Sequence, residues 1–275
     1  MRGPISWPVV YERPTMVQRY NVLGVDFDLV DYAAVWEVIR GWRLAGRRSY
    51  VCMVNPHSVL TARRDGGMDR SVRNAGLVLP DGVGVAVAAR LLGYGRKGRV
   101  TGPMLMLCLC DWGRQTGCRH YFYGGATGIA ERLAGCLRLR YPGMEVAGTY
   151  CPPFGEIGAA GDAEIVERIN AARADIVWVG LGAPKQEKWM AEHAQRIDAT
   201  AMIGVGAAFD FHCGNVKWAP QPIRALGLEW AWRLALEPGR MWRRNLDSPL
   251  FLMQVLAQGW RMRRSAALNA SPVRT

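Results

Sequence analysis

Short apolar runs alternate with longer amphipathic segments along most of the chain. Runs this short fit buried strands, whereas the segments between them repeat apolar residues at helical spacing. The rhythm predicts an α/β fold in which helices cover both faces of a mostly parallel sheet. The predicted strands are 50–54, 76–80, 120–125, 144–148, 175–180 and 200–206, and the predicted helices lie near 57–65, 83–92, 103–117, 127–140, 162–173 and 185–195.

The ends of the chain depart from this pattern. Residues 1–20 are interrupted by prolines and predict a tail, after which 21–216 holds the α/β pattern. At the start of that region, alternation around Val25 to Asp28 predicts a small strand or hairpin, and helical spacing predicts a helix over Tyr32 to Leu44.

The composition changes after about residue 217. Between Arg224 and Arg264 there are eight arginines, no lysine and three acidic residues, with four tryptophans interleaved. Arginine and tryptophan at helical spacing are typical of a membrane-interface element, but also of a solvated amphipathic helix packed on a domain. We interpret 217–264 as a helical basic appendage that docks on membranes, and 265–275 as a disordered tail.

Charge and cysteine content limit the classes of partner. The 35 Lys and Arg against 23 Asp and Glu give a formal charge of +12, which favours nucleic acid, a nucleotide substrate or an acidic lipid surface. The seven cysteines show no CxxC pair and no zinc spacing, so they predict reduced thiols in a cytosolic protein and no metal site. The proline-broken N-terminus has no apolar segment long enough for a signal h-region, and no stretch of the chain is long enough for a transmembrane helix.

Polar and glycine residues follow most of the predicted strands. Ligands of parallel α/β sheets bind at the carboxyl ends of the strands, so these positions are the candidate site. They are Asn55, His57, Asp81, Gly82, Gly124, Gly125, Gly128, Pro152 to Phe154, Gly182 to Gln186, and Asp210 to Gly214.

Asp81 is the candidate general base. A short carboxylate on a turn after a strand is well positioned for proton transfer, and partial burial raises its pKa. The alternative is an aspartate that forms the turn or caps the helix beginning at Val83.

One glycine turn and the basic cluster of Arg96, Lys97 and Arg99 are candidate anion sites, and a second glycine turn is a candidate for presenting a polar side chain. The stretch "YGGATG" at 123–128 leads into a helix whose N–H groups favour phosphate, although a purely structural turn fits equally well. In "GLGAPKQEKW", Gly180 and Gly182 allow a close turn, and Pro184 suits a first helical turn that presents Gln186. Arg99 could grip a diphosphate and stabilise a leaving group, although most basic clusters are solvated.

Taken together, these motifs resemble the WecG/TagA/CpsF glycosyltransferases, glycosyltransferase family 26. The resemblance runs from about Asn21 to Leu246. Its residues are "LVLPDGVGVAVAARLLG", "RVTG", "YFYGGATGIAERL", "YPGMEVAGTY", "ADIVWVGLGAPKQEKWM", "IGVGAAFDFHCGNVKWAP" and "GLEWAWRLALEPGRMWRR".

The resemblance implies a Rossmann-like fold and a hexosyltransferase. Such an enzyme moves a sugar from a UDP-sugar to a polyprenyl-diphosphate-linked sugar, with inversion, without a metal and without a cofactor, since the UDP-sugar is a substrate. It implies work in the cytoplasm at the inner face of the cell membrane, on exopolysaccharide, a teichoic acid linkage unit or a common antigen. The anionic membrane surface is then a further partner, and no nucleic acid is expected.

The same resemblance assigns roles to residues. Asp81 matches the general base, and Asn55 and Arg99 match active-site residues. The basic appendage is implied to meet the lipid diphosphate and the membrane through Arg233, Arg240 and Arg243. The donor-binding positions are Gly124, Gly125, Phe154, Gly182, Ala183, Gln186 and Asp210.

Three positions depart from the family pattern. Met53 replaces a threonine, Met104 stands where the family often has aspartate, and Cys213 replaces a small residue. The first two bear on sugar specificity, and the lost threonine hydroxyl makes a hexose donor worth testing first.

Two rival functions remain from the residues alone. A nicotinamide-dependent dehydrogenase suits the strand–helix rhythm but needs GxGxxG at the first turn, where "MVNPHSV" has no glycine. A nucleic-acid-binding module suits the charge and the aromatic residues, and it predicts salt-sensitive binding without sugar transfer.

Overall fold

A computed structural model describes residues 17–94, 99–153, 155 and 158–269. The strands within them are β1 (Arg19–Val22), β2 (Val25–Asp28), β3 (Ser49–Val54), β4 (Leu77–Pro80), β5 (Arg119–Gly124), β6 (Glu145–Tyr150), β7 (Ile176–Gly180) and β8 (Ala201–Gly204). The helices are α1 (Tyr32–Leu44), α2 (Pro56–Arg64), α3 (Gly66–Arg73), α4 (Val83–Leu91), α5 (Gly102–Gly113), α6 (Ile129–Arg140), α7 (Ala159–Ala171), α8 (Lys185–His193), α9 (Ala208–His212), α10 (Gln221–Ala225), α11 (Glu229–Leu236) and α12 (Pro238–Asn269).

The main sheet has the strand order β4-β3-β8-β7-β5-β6, and neighbouring strands pair in parallel. β1 and β2 form a separate antiparallel hairpin. Each of the six strands predicted for the main sheet is present, and the α/β fold class is confirmed. Because the strands are parallel, their carboxyl ends meet along one edge of the sheet.

Each face of the sheet carries its own apolar core. Along β3, Tyr50, Cys52 and Val54 belong to one buried cluster, whereas Val51 and Met53 belong to the other. Successive strand side chains point to opposite faces, so continuous apolar runs are buried on both sides. The first cluster includes residues of α2, α4, α8 and α12, and the second includes residues of α1, α5, α6 and α9.

The sequence pattern missed one helix boundary. The predicted helix near 57–65 ends at Arg64, and α3 begins immediately afterwards. The Asp65 carboxylate accepts the backbone N–H groups of Gly67 and Met68 at 2.9 and 3.2 Å, so it caps α3. Two glycines at the start of α3 hid this helix, because glycine is a poor helix former.

The C-terminal segment folds back onto the α/β region. Phe251 and Val255 of α12 are buried in the same cluster as β3 and α4. Gln258 bonds to the β1–β2 hairpin, since its Oε1 accepts the N–H of Leu23 at 2.8 Å and its Nε2 donates to the carbonyl of Asn21 at 3.1 Å. α12 therefore packs against the α/β region and the β1–β2 hairpin along one of its own sides.

Two predicted limits differ from the described elements. β1 begins at Arg19, within the predicted tail 1–20, and residues 1–16 lie outside the described part. α12 continues to Asn269, so residues 265–269 are helical rather than part of the predicted disordered tail. Within the described ranges, no helix combines the length and apolarity needed to cross a membrane.

Candidate active site

The carboxyl ends of β3, β4, β5, β7 and β8 open into one cavity of about 510 Å³. The C-terminal segment closes its far side through residues of α11 and α12. Eight of the residues to which the family resemblance assigned roles line this cavity together. They are Asn55, Asp81, Gly125, Gly182, Ala183, Gln186, Asp210 and Arg233.

Asp81 directly follows β4 and is partly buried in the cavity wall. Its backbone N–H donates to the carbonyl of Val54 at 3.0 Å, which extends the pairing of β4 with β3 by one residue. Gly82, with φ of +84°, occupies the N-cap position of α4. The N-cap position is thus held by Gly82 and not by Asp81, and the rigid strand end places Asp81 in the cavity wall.

Asn55 has a structural role that the sequence did not reveal. Its Oδ1 accepts the backbone N–H of Ser58 at 3.0 Å and the Ser58 hydroxyl at 3.3 Å, so Asn55 caps α2. The cap uses the carbonyl end of the amide. Because the residue also lines the cavity, its NH₂ group is the part suited to a ligand.

Among the helices that begin at the cavity wall are α2, α4, α5 and α8. The first N–H groups of a helix lack intrahelical partners, and the helix dipole makes that end positive. The N-cap residues of α4, α5 and α8 are Gly82, Thr101 and Pro184, and none of these three caps its helix through a side chain. The cavity therefore favours an anionic ligand such as a phosphate group.

Gln186 holds the turn between β7 and α8. It is 4% exposed, its Oε1 accepts the N–H of Gly182 at 3.2 Å, and its Nε2 donates to Glu187 Oε1 at 2.9 Å. Gly182 has φ of +77°, a backbone conformation that favours glycine. Lys188 instead bonds to Asp65 at 2.6 Å. Of these polar residues, Gln186 is the one that lines the cavity.

Gly124 lies one residue outside the cavity lining. It pairs with Gly180 across β5 and β7, and a Cβ at Gly124 would lie 2.6 Å from the Gly180 backbone. Its φ is +126°. The glycine at this position allows two strands to approach closely, and Gly125, the next residue, lines the cavity.

Asp210 and two aromatic residues form the wall next to α9. The Asp210 Oδ1 accepts a hydrogen bond from Asn215 Nδ2 at 2.8 Å, which orients the carboxylate. Phe211 and Trp218 stack with ring centroids 6.3 Å apart. This wall offers an oriented carboxylate beside flat apolar surfaces, a combination suited to hydroxyl groups and a planar ring.

Arginines attach the C-terminal segment to this aromatic wall. The Arg233 guanidinium lies 5.3 Å from the Phe211 ring centroid, and Arg224 lies 3.9 Å from that of Trp218. Arg233 Nη2 is also 3.5 Å from Glu237 Oε2. Its Nε is buried and makes no hydrogen bond within the described residues. Arg233 is therefore a cation in the cavity wall with donor capacity left for a ligand.

Arg99 stands behind the cavity wall and lines a second cavity of about 460 Å³. Its Nη1 is 3.0 Å from Glu229 Oε2, and its Nη2 donates to the carbonyl of Arg224 at 2.8 Å. The structure thus brings Arg99 close to the predicted site but engages its guanidinium with the C-terminal segment.

The two strand-end histidines are both held by protein groups. His57 Nδ1 is 2.6 Å from Asp247 Oδ2, which joins α2 to α12. His212 Nε2 donates to the carbonyl of Pro103 at 2.9 Å, and burial lowers the pKa of His212 to about 4. A neutral His212 at pH 7 supplies no cationic charge to the cavity.

Three predicted site residues cannot be placed. Phe154 lies outside the described residues, as do the side chains of Arg240 and Arg243. The seven cysteines are free. In the part of the chain that the structure describes, no three His, Cys, Asp or Glu side chains are grouped so that they could hold a metal ion.

Sequence reasoning predicted Arg233 of α11 for the site but missed the other residues that α11 and α12 contribute to the wall. Glu229, Trp230, Met241 and Leu252 line the cavity, as do Thr101 to Pro103 at the start of α5. Glu229 and Trp230 belong to the quoted "GLEW" motif, which was the available signal. Their place at the cavity depends on long-range folding of the C-terminal segment.

Comparison with known proteins places this site in a family. The model of the glycosyl transferase WecG/TagA/CpsF family matches residues 20–265. An N-acetylglucosaminyldiphosphoundecaprenol N-acetyl-β-D-mannosaminyltransferase of Bacillus spizizenii is 30% identical over 76% of this chain and 79% of its own length. The enzyme of the same name from Staphylococcus aureus is 26% identical over 89% of this chain and 94% of its own length. The chain belongs to the WecG/TagA/CpsF family of glycosyltransferases, and the hexosyltransferase class predicted from its motifs is confirmed.

Proposed function

We propose that this enzyme transfers a sugar from a UDP-sugar to a sugar carried on a polyprenyl diphosphate, in the synthesis of a cell-surface polysaccharide. The observation that carries the proposal is the single cavity at the strand ends, bordered by helix N-termini. Such a border suits a ligand with phosphate groups. The names of the relatives, which specify an undecaprenyl-diphosphate-linked acceptor, support the second substrate.

The nucleotide is assigned to the side of the cavity formed by β7, β8 and α9. Gly182, Ala183 and Gln186 offer a close backbone approach there, and Asp210 offers a carboxylate for ribose or base hydrogen bonds. The acceptor is assigned to the side where α11 and α12 contribute Trp230 and Leu252. Arg233 lies between the two sides, since its guanidinium packs on Phe211 of α9.

The reaction in this proposal is a direct displacement with inversion at the anomeric carbon. Asp81 takes the proton from the acceptor hydroxyl, the hydroxyl oxygen forms the new bond to the anomeric carbon, and the bond to UDP breaks with its electron pair on UDP. The helix N-termini and Arg233 stabilise the negative charge on the departing group. These groups are proposed to make a metal ion unnecessary.

The C-terminal segment is proposed to hold the enzyme peripherally on the cytoplasmic face of the membrane. Of the fourteen exposed large apolar side chains in the described residues, eleven lie between Leu226 and Met262. The same segment is rich in arginine. Exposed apolar residues beside cations are typical of a surface that meets anionic lipid.

The test is a donor screen with the purified full-length chain. UDP-Glc, UDP-GlcNAc, UDP-ManNAc and UDP-ManNAcA are each incubated with a short-chain lipid-diphosphate GlcNAc acceptor, with and without EDTA, and NMR determines the anomeric configuration of the product. The relatives' names favour UDP-ManNAc, whereas Met53 in the cavity wall makes UDP-Glc the second candidate. We expect the product to have inverted anomeric configuration, and we expect EDTA to leave the rate of transfer unchanged.

Failure of transfer with every donor would contradict the proposal. Salt-sensitive binding of DNA or RNA in a gel-shift assay, without sugar transfer, would instead support the nucleic-acid alternative. Loss of activity in EDTA, restored by a divalent ion, would refute the metal-independent mechanism alone.

A further inference from the structure

Glu229 is a third carboxylate in the cavity wall, beside those of Asp81 and Asp210. It is the first residue of α11, lines the main cavity, and has a side chain that is 22% exposed. Its Oε2 lies 3.0 Å from Arg99 Nη1. The ion pair fixes the carboxylate while leaving part of it open to the cavity.

Arg99 also donates a hydrogen bond to the C-terminal segment that carries Glu229. Its Nη2 donates to the carbonyl of Arg224, and its Nη1 would lie 3.3 Å from a Cβ placed on Gly227. Gly227 has φ of +73°, and that Cβ would also lie 2.8 Å from Val83. Arg99 thus anchors the turn between α10 and α11 against α4, directly before Glu229.

A carboxylate at this position repels phosphate, so it suits an uncharged part of a substrate. Sugar hydroxyl groups donate hydrogen bonds to carboxylates, and the C–H face of a sugar ring packs on flat apolar surfaces. Trp230, the next residue, lines the same cavity and is 48% exposed. Glu229 and Trp230 together therefore offer both kinds of contact that a sugar ring needs.

The position of this pair in the fold indicates which sugar it meets. α11 belongs to the segment with Arg233 and Leu252 in the cavity and with the exposed apolar surface outside it. The nucleotide side is formed by β7, β8 and α9. We propose that Glu229 accepts a hydrogen bond from a hydroxyl group of the acceptor sugar, and that Arg99 is a positioning residue that acts through Glu229. This inference rests on the proposed function and adds an acceptor-binding residue to it.

Steady-state kinetics with the lipid-diphosphate GlcNAc acceptor test the role of Glu229. We expect Glu229→Gln to raise the KM for the acceptor by about tenfold, since a hydrogen bond to a charged group is replaced by a weaker one. The Kd for the UDP-sugar, measured by calorimetry, is expected to stay within twofold. Glu164→Gln is the matched control, because Glu164 pairs with Arg168 on α7, outside the cavity wall.

A double-mutant cycle tests whether Arg99 acts through Glu229. Arg99→Lys keeps the charge but cannot make both contacts, so we expect a smaller rise in acceptor KM at nearly unchanged kcat. The variant carrying both changes is expected to be no worse than Glu229→Gln alone. If Arg99 instead touches the departing diphosphate itself, Arg99→Lys will lower kcat. The loss of kcat/KM in the double variant will then be the product of the losses in the two single variants.

The outcomes separate this inference from the proposed function. If the wild-type enzyme transfers sugar and Glu229→Gln leaves the acceptor KM unchanged, the role of Glu229 is overturned but the proposed function is not. Wild-type enzyme that transfers no sugar refutes the proposed function, and calorimetric titration with the acceptor then decides the role of Glu229. Tenfold weaker binding by Glu229→Gln supports it, whereas equal binding, or no binding by the wild type, overturns it.

Discussion

Asp81 and Asn55 occupy equivalent places, each directly after a strand and before a helix, yet their side chains serve different ends. The side-chain carbonyl of Asn55 caps α2, whereas the N-cap residue of α4 is Gly82 and not Asp81. Both residues line the cavity, but only the carboxylate of Asp81 can accept a proton, which is why Asp81 and not Asn55 is proposed as the base.

We expect Asp81→Asn to lower kcat by about 10²- to 10⁴-fold, because an amide cannot accept the proton of the acceptor hydroxyl. The Kd for the UDP-sugar and the melting temperature are expected to change little, since the amide is nearly isosteric. Transfer assays, calorimetry and thermal unfolding measure the three quantities.

Asp198→Asn is the matched control for this change. Asp198 is exposed and pairs with Arg48 at 2.7 Å, away from the cavity lining. Near wild-type turnover in Asp81→Asn would eliminate Asp81 as the base, whereas a similar loss in both variants would point to a general defect.

At the scale of elements, the approach of β5 to β7 shapes the floor of the site. Gly124 pairs with Gly180, and a Cβ at Gly124 would meet backbone atoms that cannot move aside as a flexible side chain can. The sequence showed a glycine-rich turn at this point but left open whether it binds phosphate or serves only the backbone. The structure assigns Gly124 to the strand contact and Gly125 to the cavity.

Gly124→Ala is expected to lower the free energy of unfolding by about 3 kcal/mol or more, from the backbone overlap and the φ of +126° together. Urea unfolding measures this quantity. Gly135→Ala is the matched control, because Gly135 lies exposed in α6 and a Cβ there meets nothing within 4 Å. That change should raise the free energy of unfolding by up to about 1 kcal/mol. Equal effects at both positions would contradict the close-approach role of Gly124.

At the scale of the whole molecule, the C-terminal segment is both part of the core and a candidate membrane surface. Phe251 and Val255 are buried on one side of α12, while Met253, Leu256 and Trp260 are exposed on the other. Removing everything after residue 217 would therefore expose the core as well as remove the docking surface. Substitution of exposed residues is the sharper experiment.

The variant with Met253, Leu256 and Trp260 all changed to Gln is expected to bind vesicles containing anionic lipid at least tenfold more weakly. The reason is that burial of each apolar side chain in lipid contributes about 1–3 kcal/mol. Co-sedimentation measures binding, and the melting temperature should not fall, because the three side chains are exposed.

Leu44→Gln combined with Leu139→Gln is the control, since both leucines are highly exposed on other helices. Vesicle binding should survive in this control. Unchanged binding in the α12 variant would remove the support for peripheral docking through this helix.

The sequence by itself determined the order of strands and helices, the presence of polar residues at the strand ends and the family. Periodic apolar patterns and turn residues act over a few neighbouring positions, so they can be interpreted without a fold. The boundary at Asp65 was missed because glycines at the start of α3 weaken the helical pattern.

Only the tertiary structure decided which polar residues share the cavity. Arg99 meets the carbonyl of Arg224, 125 positions away, and His57 meets Asp247, 190 positions away. These contacts close the C-terminal segment over the strand ends, bring Glu229 into the wall and place Arg99 behind it. No local pattern encodes such pairs, because they depend on how separate elements pack after the chain has folded.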